Sequence, residues 1–236
     1  MNFLQGEIIA IDKPYTWSSF AMVAKLRWLL TQRLGRKIKV GHAGTLDPLA
    51  TGVLLLCTGR ATKRIEELQR QEKEYVADLK LGATTASFDM EHPEDATYPT
   101  AHITRELIEE VLPRFVGEIE QTPPAYSACK IDGKRAYDYK RSGEDITPRS
   151  KKVQIYSIKI EEFALPLLRL RVSCGKGTYI RSLARDLGNA LQSGAYLTAL
   201  RRTRAGGFTE KDCIAFDDLP RWVEEVEIEA NEIDLF

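Results

Sequence analysis

The sequence predicts an α+β fold built on a largely antiparallel sheet. Short segments of period-two apolar alternation recur along the chain. Segments with a helical apolar face stand between some of them. The two kinds do not follow the regular β-α-β spacing of a parallel sheet. Taken in order, Glu7–Asp12 predicts a short strand. Ser18 and Ser19 are N-cap types ahead of Val23, Leu26, Leu29 and Leu30, an apolar helical face, and Gly35 stops that helix. Val53–Cys57 is an unbroken apolar run, the pattern of a buried central strand. Thr62–Leu68 predicts a short helix. Tyr75–Leu81 alternates, with Tyr75, Ala77, Leu79 and Leu81 on one face.

Ala83–Ala101 is polar, holds two prolines and reads as loop. Thr104 caps a helix with Leu107, Ile108, Val111 and Leu112 inward. Lys134–Arg141 predicts another short helix. Val153 and Ile155 share one strand phase while Ile158 and Ile160 share the other, which calls for a bulge or bend. Leu168, Leu170 and Val172 alternate with Arg169, Arg171 and Ser173 as a half-buried strand. Thr178–Leu191 predicts a helix with Ile180, Leu183, Leu187 and Leu191 inward, and Ala195–Thr203 a strand. There is no internal repeat.

The 236 residues suffice for one large domain or two small ones. No apolar run approaches a membrane span and the N-terminus lacks a signal-peptide pattern, so a cytoplasmic location is expected. Cys57, Cys129, Cys174 and Cys213 are far apart and form no C-x-x-C pair, which argues against structural zinc and suits a reducing compartment. Lysines plus arginines balance aspartates plus glutamates at 34 each. The balance hides a local asymmetry. From Asp217 to Phe236 there are eight acids and one base, Arg221. Basic residues cluster at Arg60–Arg64, Lys130–Arg141, Arg149–Lys152 and Arg201–Arg204. Local potential governs contact with phosphates.

The segment Val40–Leu54 is the most informative. It holds Gly41, Gly44 and Gly52, His42 and a single carboxylate, Asp47, followed by proline and an apolar strand. Proline keeps Asp47 out of the helical region, and the glycines permit close approach to the backbone. Asp47 therefore belongs on a loop feeding a buried strand, a usual place for a catalytic group. Other chemistries find no motif. Cys174–Thr178 lacks the first glycine of a phosphate-binding loop, since position 170 is leucine, and G-x-S-x-G, H-E-x-x-H and G-x-G-x-x-G are absent.

Gly41–Leu54 resembles the central motif of the TruB family of tRNA pseudouridine synthases. Ile11–Pro14 is similar to that family's I-D-K-P, and Lys73–Tyr75 with Leu81–Gly82 to its K-x-Y…L-G strand. Pro123–Lys130 with Gly133–Tyr137, Lys176–Arg181 and Leu200–Thr203 resemble three further motifs, all in family order. The resemblance covers residues 7 to about 208. It implies the pseudouridine synthase fold, a mixed, mainly antiparallel sheet flanked by helices with the active site in a central cleft. It implies a catalytic domain over 1–210 and a short acidic tail over 211–236, without the separate RNA-binding domain that the family usually adds.

The activity implied is conversion of a tRNA uridine, position 55 of the T loop, to pseudouridine, with no metal or other cofactor and no protein partner, by a monomer. The resemblance assigns the chemistry to Asp47. Whether Asp47 attacks the sugar, attacks the base or removes a proton stays open. It nominates Arg181 as the partner whose permanent charge keeps a buried carboxylate ionised. It assigns Tyr75 to stacking on the extruded base, Tyr179 and Leu200 to the base pocket, His42 to holding flipped-out RNA, and Lys13 to the neighbourhood of the site. Lys130 heads the basic segment expected to touch the RNA backbone. Two departures stand out. Tyr15–Thr16 replace the usual x-G after I-D-K-P. Ala86 replaces an acid in Ala83–Asp89, where the family reads x-x-T-D-T-x-D; Asp89 receives no role. An RNA-binding module without catalysis and a nucleoside hydrolase are the competing classes.

Overall fold

The computed structural model describes residues 1–127, 130–131, 134–135, 139 and 148–229. In chain order the elements are β1 (Ile8–Lys13), α1 (Ser19–Leu34), β2 (Val40–His42), β3 (Ala50–Thr58), a 3-10 turn over Gly59–Arg64, and α2 (Ile65–Arg70). Then come β4 (Lys73–Leu81), β5 (Ala83–Thr85), β6 (Glu94–Thr97), α3 (Arg105–Val111), β7 (Gly117–Gln121), β8 (Lys130–Ile131) and β9 (Lys134–Arg135). The chain continues through β10 (Lys151–Ala164), β11 (Leu167–Cys174), α4 (Ile180–Ala190), β12 (Ala195–Ala205), β13 (Phe208–Thr209), β14 (Ile214–Ala215) and α5 (Leu219–Glu225). Two compact units result: Met1–Glu74 with Arg201–Phe236, and Tyr75–Leu200. The chain passes between them within β4 and β12.

In the first unit the strand order is β14-β1-β3-β12, with β2 on β3 and β13 on β12. β1 and β3 are antiparallel from Ile8↔Cys57 to Lys13↔Gly52, and β14 joins β1 in parallel. β3 is buried along almost its whole length, which explains its unbroken apolar run. One side of its core gathers Ala10, Val53, Leu55, Cys57, Leu68 and Ala205. α1 begins as expected: Ser18 accepts the Ala21 N–H, and Gly35 closes the helix at φ 67°. Met22, Val23, Leu26 and Leu30 face inward.

The acidic C-terminal stretch is part of this unit. Leu219 and Val223 of α5 are buried, Trp222 meets Phe3 edge-on at 6.3 Å, and Arg33 donates to the Val223 and Val226 carbonyls.

In the second unit the order is β12-β4-β11-β10-β7. β4 alternates buried and half-buried residues as its period predicts. The phase switch in β10 is a bulge: its register on β11 slips between Ile155 and Ser157. Ala83–Ala101 departs from the loop expectation. β5 and β6 form a two-stranded antiparallel ribbon. Its segments have no apolar alternation to announce them; side-chain bonds hold them, Thr84 to Asp95 at 2.5 Å and both Lys80 and Tyr196 to Glu94 at 2.6 and 2.7 Å. The Thr62–Leu68 helix is split into the 3-10 turn and α2. Of the helix expected over Lys134–Arg141, Lys134–Arg135 form a strand instead, paired antiparallel with Lys130–Ile131. The rest of that segment lies outside the described residues save the single position 139.

Candidate active site

The Asp47 loop is fixed through its backbone. The Asp47 carbonyl accepts the Ala50 N–H at 3.1 Å, closing a turn with Pro48 in its second position. Ser19 on α1 grips the preceding residue twice: its hydroxyl accepts the Leu46 N–H at 2.8 Å and donates to the Leu46 carbonyl at 3.0 Å. The Pro48 carbonyl accepts the Thr16 N–H at 2.9 Å and the Lys13 ammonium at 3.2 Å. Arg202, 1% exposed, donates to the Val53 carbonyl at 2.6 Å and the Gly44 carbonyl at 3.1 Å. Gly52 makes this possible. At φ 100° it lets the Arg202 backbone come so close that a β-carbon there would sit 2.2 Å from the Arg202 carbonyl oxygen. The Asp47 side chain is left half-buried at the end of the turn.

Lys13 is fully buried and donates to three carbonyls, Pro14, Trp17 and Pro48. Burial pulls its pKa down to about 8, against the opposing pull of the nearby Asp47 carboxylate; Arg202 lowers it further. His42 on β2 is half-buried and its pKa is lowered, first by burial and then by Arg202. It is therefore a neutral ring at pH 7, suited to stacking rather than to ion pairing. Lys13, His42 and Asp47 thus share one unit, framed by Arg202. In the sequence Arg202 stands within the Leu200–Thr203 motif with no role of its own. Its signal was an arginine facing the core side of a strand.

The other expected residues lie in the second unit. Tyr75 sits on the buried face of β4. Tyr179 caps α4 and is held by Gln121 in both directions: its N–H donates to the Gln121 side-chain oxygen at 2.7 Å, and its carbonyl accepts from the Gln121 amide at 3.1 Å. The Lys151 ammonium lies 4.9 Å from its ring centre. Leu200 is half-buried on β12. Lys130 lies on β8, with its side chain outside the described residues.

Arg181 follows Tyr179 in the first turn of α4 and is 4% exposed. Within its unit it faces Asp89 at 3.6 Å and donates to the Ser87 carbonyl at 3.3 Å. Asp89 is itself locked: it accepts from the Ser87 hydroxyl at 2.6 Å and the Glu91 N–H at 3.0 Å. The Thr85 hydroxyl holds its carbonyl at 2.7 Å. Phe88, at φ 62°, makes the tight turn between them, and its carbonyl accepts the Leu197 N–H at 3.0 Å. Asp89 is the residue that sequence reasoning missed. It is the acid that remains where Ala86 has replaced the other.

The fold is that of the pseudouridine synthases. The chain aligns over 96% of its length, at 31% identity and TM-score 0.72, with a chain of the crystal structure of a Cbf5-Nop10-Gar1 complex. It aligns over 95%, at 29% identity and TM-score 0.69, with a chain of an H/ACA RNP bound to a substrate RNA containing 2′-deoxyuridine. It spans 58% and 57% of those longer chains. A family model for the TruB family pseudouridylate synthase N-terminal domain matches residues 29–180, and one for the tRNA pseudouridylate synthase B C-terminal domain matches 181–234. A Phocaeicola vulgatus protein named tRNA pseudouridine synthase B is 59% identical, with 97% of this chain and 98% of that one aligned. Its Bacteroides thetaiotaomicron namesake is 56% identical over 98% and 99%. The chain belongs to the TruB family of pseudouridylate synthases.

Proposed function

We propose that this protein is a tRNA pseudouridine synthase, an isomerase that converts uridine 55 of the T loop to pseudouridine. The observation that carries the reading is the Asp47 turn: one carboxylate on a glycine-shaped loop, its backbone pinned by Ser19, Lys13 and Arg202. Relatives that align over nearly their whole length and bear that enzyme name support it. The reaction breaks the uridine N1–C1′ bond, turns the base and joins C5 to C1′. C5 gives up a proton and N1 ends with one, so nothing is oxidised or reduced. No group beyond the chain is needed for that balance.

In this reading Asp47 supplies the nucleophile or base, with Lys13 beneath the loop keeping its surroundings positive. Arg181, set in place by Asp89, supplies the permanent positive charge that keeps the Asp47 carboxylate ionised. Tyr75 stacks on the extruded uracil, Tyr179 and Leu200 line its pocket, and His42 holds the displaced nucleotide. Lys130 contacts the RNA backbone. Residues 211–236 extend the catalytic domain rather than form a second RNA-binding one, which the burial of Leu219 and Val223 supports. The protein acts in the cytoplasm, as a monomer without protein partners. Among the described residues, no helix is long and apolar enough to cross a membrane.

The test uses an unmodified T-arm stem-loop transcript, purified protein and a chelator, with pseudouridine mapped at single-nucleotide resolution. Conversion at the T-loop uridine alone is expected. No conversion of this hairpin or of full-length tRNA would sink the reading and leave an RNA-binding module.

A further inference from the structure

From Lys13 to Leu46 the chain carries seven cations and no aspartate or glutamate. At the chain's overall acid content, such a stretch would hold about five acids. The centre of the stretch is α1, and its outward face is aromatic. Phe20 is 69% exposed and Trp28 56% exposed. They lie two turns apart on one stripe with Ala24 and Gln32, about 12 Å along the axis. Tyr15, 52% exposed, stands just before the helix. The Lys25 ammonium lies 5.4 Å from the Trp28 ring centre, and Lys37 and Lys39 follow on the exposed turn after the helix. Among the described residues, none of these three lysines has an acidic partner. By contrast Lys13 and Arg33 are absorbed by backbone carbonyls.

We propose that the outward face of α1, with Phe20, Trp28, Lys25, Lys37 and Lys39, is a second RNA-contact surface that holds nucleotides of the substrate beyond the target base. Cations without acids select a polyanion, and exposed flat rings between them select unstacked bases. The location supplies the substrate. The first turn of α1 is tied to the Asp47 loop by Ser19, so an RNA engaged at Asp47 is delivered to the start of this face. The helix then extends about 24 Å from that loop, a reach that lets it contact parts of a folded RNA outside the loop being modified. The inference rests on the tRNA reading above and deepens it. A lipid surface is the competing partner for exposed tryptophan and lysine.

The experiment measures binding of the full chain to an unmodified full-length tRNA transcript across a salt series. It compares wild type, Trp28→Ala and the double variant Lys37→Gln/Lys39→Gln. Trp28→Ala is expected to raise Kd about tenfold through lost stacking. The double variant is expected to reduce the slope of log affinity against log salt by about 1.5. Because all three side chains are exposed, melting temperatures should stay at the wild-type value, and the lysine pair tests the surface independently of Trp28. Wild-type Kd and salt slope in both variants would overturn the inference. So would loss of binding to phosphatidylglycerol vesicles in Trp28→Ala with its RNA affinity intact, which would assign the face to lipid. Failure of the tRNA reading would show separately, as wild-type protein that leaves every uridine unconverted.

Discussion

Asp47 and Arg181 are both held rigidly, by opposite means. The Asp47 loop is gripped through its backbone: Ser19, Thr16, Lys13 and Arg202 all bind main-chain groups, and the carboxylate stands half-buried at the end of the turn. Arg181 is gripped through its charge. Its head is buried and answered by Asp89, whose other oxygen accepts from the Ser87 hydroxyl and the Glu91 N–H. Burying a guanidinium costs several kcal/mol of hydration, which Asp89 and the Ser87 carbonyl help to offset at Arg181 and backbone carbonyls help to offset at Arg202. At Asp47 the fold places its hydrogen bonds on the main chain of the loop, which sets where the carboxylate stands.

The contrast can be broken most severely at Asp47 itself. Asp47→Asn should lower pseudouridine formation on the order of a thousandfold or more, while RNA affinity and the unfolding midpoint stay near wild type. Retained turnover would mean that the chemistry lies elsewhere. Asp89→Ala should behave the other way, costing about 3–5 kcal/mol in denaturant unfolding because it removes one side of a buried ion pair. A loss under 1 kcal/mol, on the order of a surface ion pair, would show that Arg181 does not depend on Asp89.

The backbone grip is tested at Gly52, where alanine must take φ 100° and displace the Arg202 backbone. Gly52→Ala should cost about 2 kcal/mol or more, whereas Gly207→Ala, with open space around it, should be nearly neutral. The smallest effect concerns pH. Lys13 is charged below about 8 and neutral above it. The ammonium has three N–H groups for its three carbonyls, and the amine only two. Turnover should therefore fall several-fold as pH rises through about 8, and Lys13→Met, with nothing to titrate there, should lack that limb whatever its absolute rate.

Much of this was legible in the sequence for a physical reason: local rules act over a few residues. The cap at Ser18, the stop at Gly35, the alternation in β4 and the bulge in β10 each follow from a pattern a few residues long. Asp47 announced itself through the glycines and proline around it. The β5–β6 ribbon did not, because its strands are short and mostly polar, and their stability comes from partners such as Tyr196, about a hundred residues away. The acidic C-terminal stretch read as a tail because charge dominates its composition. Its packing comes from a few scattered side chains, among them Leu219, Val223 and Trp222.

The sequence by itself determined the longer elements, the α+β class and the candidate residues, because periodicity, caps and turn chemistry are written locally. The tertiary structure alone decided which charge answers which. Asp89 meets Arg181 from 92 positions away, and Arg202 reaches Gly44 and Val53 across roughly 150 or more. Such pairings depend on how strands are brought side by side, and the spacing of residues along one chain carries no record of that.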